Sequence, residues 1–462
     1  MNIVRTKKAY KTICCLIAFV GARFIDTSSG VNPGLGDIQS PGSVGYEACT
    51  SQKCRMDIDY GYPLLKNITS LHDVIEELKY LCCLDLSRKE LRSLPPEIGE
   101  LESLDGLYLN GNEFETLSPV IGELKNLKYL DLYDNKLERL SPEIGRLKNL
   151  RELDLSGNKL RTLPSEIGEL VNLGILHLND NKLERLPPEI GRLKDLWRLY
   201  LNGNNLEALP ETIENLKDRL WYLYLNGNKL KTLPPEIGEL VNLGILHLND
   251  NKLERLPPEI GRLKNLRELG LNGNNLEALP ETIRELKKLQ YLYLNGNKLK
   301  TLPPEIGELK WLLVLHLNGN KLERLPPEIG ELEGLYTLYL NDNEFETLPS
   351  EIGKLKNLRH LHLSGNKLER LPYVIAELKN LRELDLSGNK LETLPSYIVR
   401  MLSGSLQLLD LRGNNIYEVG DGKRTLGKKE LREIFGDRVK FDEEASQWSL
   451  WKCFTEFVAY LL

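Results

Sequence analysis

The chain has 462 residues, 28% of them charged and 41% hydrophobic, with a formal net charge of −6. One core does not grow to that length, so the choice lies between several domains and a one-dimensional repeat. The mild acidity offers no basic face, which speaks against a nucleic-acid partner.

Residues 1–22 differ from the rest. Arg5, Lys7, Lys8 and Lys11 precede the apolar run Thr12–Ala22, which ends in Val20-Gly21-Ala22. A basic start, a short apolar stretch and small residues at its end predict a secretory signal peptide; the run is too short to span a bilayer. Cleavage after Ala22 would take the net charge from −6 to −10. The alternative is an apolar segment that stays on a cytosolic chain.

Residues 23–57 are rich in Gly, Ser and Pro and read as a flexible linker. Of the seven Cys (14, 15, 49, 54, 82, 83 and 453), Cys49, Cys54, Cys82 and Cys83 flank the start of the regular sequence that follows. In an oxidising compartment they are candidates for disulfides, with three pairings open; in the cytosol they would be thiols. Asn67-Ile68-Thr69 is a glycosylation sequon, so Asn67 is a candidate acceptor in a secreted chain. Residues 58–80 are expected to form an N-terminal cap. Within them Ser70-Leu71-His72-Asp73 resembles a capping box, and Leu71, Val74, Ile75 and Leu78 follow at helical spacing.

From Leu81 one line repeats. Its clearest copy is Val171–Leu193, VNLGILHLNDNKLERLPPEIGRL, which returns unchanged at Val241–Leu263. Leu176 and Leu178 alternate with His177 and Asn179, the period of a half-buried strand. Leu186-Pro187-Pro188 opens a short helical return with Pro at its start, and Gly191 is expected to reverse the chain. One copy cannot cover its own apolar face, whereas stacked copies share a core. Fifteen starts run from Leu81 to Leu406. Every step is 23 residues except 24 into Leu220 and 25 into Leu406. Glu166–Lys194 recurs letter for letter at Glu236–Lys264, and Asn205–Ile213 at Asn275–Ile283, so the centre is a tandem copy of a three-repeat block.

An Asn recurs at one phase: Asn112, Asn135, Asn158, Asn181, Asn204, Asn228, Asn251, Asn274, Asn297, Asn320, Asn343, Asn366, Asn389 and Asn414, with Lys89 in the first motif. A stacked coil leaves backbone groups facing inward, and a buried unpaired one costs about 1–3 kcal/mol. The expectation is an Asn ladder that bonds these groups from copy to copy. Phe114, Phe345 and Ile416 replace the closing Leu.

This pattern, L-x-x-L-x-L-x-x-N-x-L, is identified as that of the leucine-rich repeats. The trailing L-P-x-x-I-G-x-L resembles the 23-residue class of Ras-group leucine-rich-repeat scaffolds. The resemblance implies an α/β solenoid over residues 81–416: a curved horseshoe with a concave parallel sheet and short helical or irregular convex segments.

On the expected concave face the residue between the second and third Leu is Tyr or His through the middle and Asp at both ends. His177, Tyr200, Tyr222, Tyr224, His247, Tyr291, Tyr293, His316, Tyr339 and His362 are the candidate partner-binding residues. A row of Asn from Asn179 to Asn341 runs beside them, adding adaptable hydrogen bonds to amphipathic rings. No metal site is expected: His177 and His247 lie too far apart for one ion, and no carboxylate or Cys joins His360 and His362 at matched spacing. No phosphate loop, triad signature or cofactor motif occurs, so neither an enzyme nor a cofactor is expected.

Residues 417–462 are expected to form a C-terminal helical cap. Thr425–Phe435 reads as a short amphipathic helix, and residues 446–462 as a second one covering the last repeat. That apolar tail has membrane-surface contact as its alternative. Two functions remain in view: a secreted protein recognising a protein partner on its concave face, and a cytosolic signalling scaffold like the Ras-group proteins.

Overall fold

The structure is a computed structural model that describes residues 82–418 and 424–442. The expected signal peptide, linker and N-terminal cap, with Cys49, Cys54 and Asn67, lie outside the described residues, as does the tail 446–462. The chain forms two compact units, dividing between Leu176 and His177.

In the first unit the strands Cys83–Asp85, Gly106–Tyr108, Tyr129–Asp131 and Glu152–Asp154 pair in parallel, in chain order. Leu84, Leu107, Leu130 and Leu153 stand side by side in register. Cys83, on the first of these strands, is disulfide-bonded. Each strand is followed by a five-residue 3-10 helix, as at Pro96–Glu100, Pro119–Glu123 and Pro142–Arg146.

The second unit repeats the scheme. The strands from Arg198–Tyr200 to Glu383–Asp385 pair in parallel and in register, each with the next. Leu408–Asp410 and Val439–Lys440 then extend the order. The middle Leu of every strand is buried, as are the Ile and closing Leu of each return; Leu199, Leu223, Ile190 and Leu193 are all 0% exposed. Phe345 sits fully buried in the slot its neighbours fill with Leu, as Phe114 does in the first unit.

The returns are almost all 3-10 helices, and the reason is local. Pro188 takes the first helical position after an extended Pro187, and Leu193 closes the helix with its N–H on the Ile190 carbonyl, 3.2 Å away. The expectation for Gly191 is corrected: it reverses nothing. A Cβ there would run into the Thr212 carbonyl of the next return, so Gly is required by close approach between stacked copies.

The two irregular steps are absorbed on this return side. The extra residue before Leu220 lengthens one 3-10 helix to six residues, Glu211–Leu216. The 25-residue step contains a true helix, α1 (Ser396–Leu402). At the C-terminal end the expected helix starts late. Thr425–Leu426 pairs antiparallel with Leu394–Pro395, and α2 spans Lys428–Phe435 with Glu430 accepting from the Gly427 N–H. Leu431, Phe435, Val439 and Phe441 bury the last core layer. Among the described residues, this segment and the strand Val439–Lys440 cover the end of the repeats. Arg438 ties them down by donating to the carbonyls of Ser403 and Leu406 at 2.9 and 2.6 Å.

The Asn at fixed phase is buried in each repeat. Asn274 shows the bonding. Its Oδ1 accepts the Leu253 N–H of the preceding repeat at 3.0 Å, and its Nδ2 donates to the carbonyls of Leu248 and Leu271 at 2.8 and 3.1 Å. In the first unit the ladder begins at Asn112, whose Oδ1 takes the N–H groups of Lys89 and Leu91.

Candidate functional site

Each strand is three residues long. The central Leu points into the core, so the first and third residues share the opposite face. In the second unit the third position forms two runs of rings. His177, Tyr200 and Tyr224 lie flat on one another, with centroids 4.4 and 4.9 Å apart, and Tyr224 meets His247 edge-on at 5.0 Å. The second run is Tyr293–His316 edge-on at 5.0 Å, then His316–Tyr339 and Tyr339–His362 at 4.4 Å each. In-register parallel strands lie about 4.8 Å apart, close to ring-stacking distance, so the spacing of the sheet itself builds the stack. Tyr222 and Tyr291 join from the first strand position, 6.3 and 6.4 Å from Tyr224 and Tyr293.

The runs are separated at Gly270, over which His247 and Asn249 close. His247 Nε2 is held 2.8 Å from Glu268 Oε1 on that same strand. Tyr293 is only 8% exposed and offers little surface. Packing in the stack is tight enough to shift protonation. Burial first, then the neighbouring Tyr200 and Glu268, pushes the Tyr224 phenol up to about 12. Burial, with His362 second, pushes the His316 imidazole down to about 4.

The adjacent Asn row is not the adaptable surface expected of it. Asn202 Oδ1 accepts the Asn226 N–H at 2.8 Å, Asn226 Oδ1 the Asn249 N–H, and so on through Asn341 to Ser364. These amides form a second ladder, and only their NH2 groups remain for a partner. Asp residues towards the two ends of the row cap the same backbone position from within their own strand-turn segment. Asp154, Asp385 and Asp410 accept the N–H two residues on, from Ser156, Ser387 and Arg412.

A cluster missed in the sequence flanks the first run. The Arg198 guanidinium lies 4.0 Å from the Trp197 ring and 4.9 Å from that of Tyr222. Trp197 and Trp221 both sit edge-on to Tyr222 at 6.1 and 6.4 Å, and Arg267 lies 5.6 Å from Trp221. Arg198 Nε is buried without a hydrogen-bond partner. The signal was available: Trp197 and Trp221 each follow the first Leu of their motif by one residue, hence the same phase on neighbouring strands.

The expectation that nothing joins His360 and His362 is also corrected. Parallel register sets Glu383 opposite His360 and Asp385 opposite His362. Glu383 Oε2 lies 3.3 Å from His360 Nδ1 and 3.7 Å from His362 Nε2. Spacing along one chain segment cannot reveal a carboxylate supplied by the next strand.

The return side carries exposed ion pairs between consecutive repeats, such as Lys264–Glu285, Lys287–Glu308 and Lys310–Glu331 at 2.8 to 2.9 Å. Exposed pairs of this kind add little stability. Among the described residues no helix is long and apolar enough to cross a membrane.

Comparison with known proteins agrees with this architecture. The family model described as "Leucine-rich repeat region" matches residues 116–182, 141–219, 259–322 and 314–385, and "Leucine Rich Repeat" matches 219–240 and 380–401. No curated protein matches the chain. A solved leucine-rich-repeat protein of Leptospira interrogans is 40% identical, covering 81% of this chain and 98% of its own, with a TM-score of 0.66. The plant peptide hormone receptor RGFR1, solved in complex with RGF2, is 28% identical over 74% of this chain and 64% of its own, with a TM-score of 0.56. An internalin of Listeria monocytogenes shares the fold at 24% identity, covering 66% of this chain and 87% of its own, with a TM-score of 0.57.

Proposed function

Since the chain belongs to the leucine-rich-repeat proteins, we propose that it is a secreted, non-catalytic protein that recognises a protein partner on its strand face. The observation that carries this reading is the run His177–Tyr200–Tyr224–His247 with the Trp197–Arg198–Trp221–Tyr222 cluster beside it. Trp, Tyr and Arg dominate the energetics of protein interfaces, and stacked rings present their area at little further entropy cost. The similar receptor RGFR1 is solved with a bound peptide hormone, which supports a protein or peptide as the ligand class here. Secretion is supported by the basic, apolar start of the chain and by the disulfide at Cys83, a bond typical of oxidising compartments.

The test is a screen of extracellular proteins and peptides against the full chain. The best binder is then remeasured with Tyr200→Ala and Tyr224→Ala together. A loss of at least about 30-fold, as for central interface aromatics, is expected; affinity within threefold of the parent would remove the strand-face reading. Sequencing the N-terminus of the mature protein tests secretion, and a retained Met1 would favour the cytosolic scaffold reading.

A further inference from the structure

We infer that His360, His362 and Glu383 form a binding site for a divalent transition-metal ion of the zinc class. The three side chains come from two adjacent strands of one sheet. Residues 360 and 362 are two apart on a strand, so both imidazoles stand on one face. Glu383 is the in-register neighbour of His360. One nitrogen of each His and one carboxylate oxygen all lie within 4.8 Å of one another. A tetrahedral ion with bonds of about 2.0–2.1 Å holds its ligands about 3.4 Å apart. Two of the separations, 3.3 and 3.7 Å, already stand near that value, and the third, between the two imidazole nitrogens, is within 4.8 Å.

The surroundings suit ligation. His362 Nε2 is buried with no hydrogen-bond partner, so its lone pair is available to a cation. The other nitrogen of the ring, Nδ1, faces Asp385 Oδ2 at 4.0 Å. Asp385 is itself anchored, since its Oδ1 accepts from both the N–H and the hydroxyl of Ser387 at 2.9 and 2.7 Å. A carboxylate beyond the far nitrogen is the usual outer support of a metal-bound His, and at this distance it acts through its charge and not through a hydrogen bond. Tyr339 lies against His362 at 4.4 Å and Tyr336 against His360 at 5.5 Å, limiting the freedom of both rings. The carboxylates of Glu383 and Asp385 beside the two rings favour a cation. Nitrogen donors select zinc, copper, nickel or cobalt over calcium or magnesium, which prefer oxygen alone. The His and Glu side chains remain 18 to 24% exposed, so a fourth position faces solvent.

The test uses the full chain, stripped with chelator and dialysed. Zn2+ is titrated calorimetrically, and Co2+ is followed by its visible absorption, which is intense only in tetrahedral coordination. The expected result is a saturable Zn2+ site and a tetrahedral Co2+ spectrum, both removed by His362→Gln and by Glu383→Gln. Asp385→Asn should weaken binding about 10- to 100-fold. Glu285→Gln, on the return side, should leave Zn2+ uptake unchanged and controls for loss of a surface carboxylate. Circular dichroism of each variant checks that the repeats still fold. Metal uptake indifferent to His362→Gln and Glu383→Gln, as uptake by the cysteines would be, overturns the assignment. So does the absence of uptake by the parent chain.

Discussion

Two asparagines two residues apart, Asn272 and Asn274, should differ sharply when truncated to Ala. Asn274 is 5% exposed, and its loss strands the Leu253 N–H, whose acceptor it is. It also removes one of two donors from each of two carbonyls, since Leu248 O keeps Asn251 and Leu271 O keeps Asn297. One orphaned buried donor costs about 1–3 kcal/mol and each lost second bond about 0.5–1, so the whole loss is about 2–5 kcal/mol. Asn272 gives one bond of the outer ladder, to the Asn295 N–H at 2.8 Å, in a half-buried position that water can reach. Its truncation should cost about 0.5–1.5 kcal/mol. The assay is urea unfolding of the full chain, comparing midpoints because a repeat array need not unfold in two states. Hydrogen exchange at Leu253 provides the local readout: it should accelerate in Asn274→Ala and stay slow in Asn272→Ala. Equal midpoint shifts, or an unchanged Leu253 amide, would refute the claim that the inner ladder holds the stack.

Two further predictions concern the same unit. His316 titrates near 4 when folded against about 6.5 unfolded. The unfolded chain then takes up the proton first, so stability is full above about pH 6.5 and falls as pH drops toward 4. At pH 5 the loss is at most about 2 kcal/mol, and His316→Phe, which keeps a ring against Tyr339, should flatten the midpoint difference between pH 7 and pH 5; the same slope in parent and variant would contradict this. Gly296 sits at φ +64 with only the Gly273 backbone near a notional Cβ, at 3.6 Å or more. Gly296→Ala should therefore lower stability by about 1–2 kcal/mol through backbone strain alone. Gly296→Asn should cost less, since Asn tolerates this region, and thermal melts of the two variants decide the order.

The repeat was legible because its period is covalent. A Leu every 23 residues and an Asn at one phase specify strand, turn, return and inner ladder wherever they recur. The left-handed position after the outer Asn shows the same determinism: it is Gly at 203, 227, 273 and 296, and Asp at 180, 250 and 342. The return was less legible. Pro at its start was visible, but the need for Gly191 arises from the Thr212 carbonyl one copy away. The expected helix from Thr425 likewise lost its first turn to pairing with Leu394–Pro395, a contact about 30 residues back in the chain.

The candidate site divides along the same line. Counting phase placed His177, Tyr200, Tyr224, His247, Tyr293, His316, Tyr339 and His362 in one row, and the sheet keeps them there. What each ring does was decided across strands. His177 and His247 occupy identical 23-residue segments. Yet His177 lies flat on Tyr200, while His247 stands edge-on to Tyr224 and bonds Glu268. The segment is the same; the next strand brings Tyr200 in one case and Gly270 and Glu268 in the other. The outer Asn ladder, the Trp197–Arg198–Tyr222 cluster and the His360–His362–Glu383 group all need a neighbouring copy to exist. The sequence by itself determined how each copy folds and which face each side chain joins, because backbone geometry and hydrophobic burial depend on residues a few positions apart. The stacking of copies decided the chemistry of that face, because hydrogen bonds, ring contacts and ligand sets form between residues about one repeat apart and depend on both partners at once.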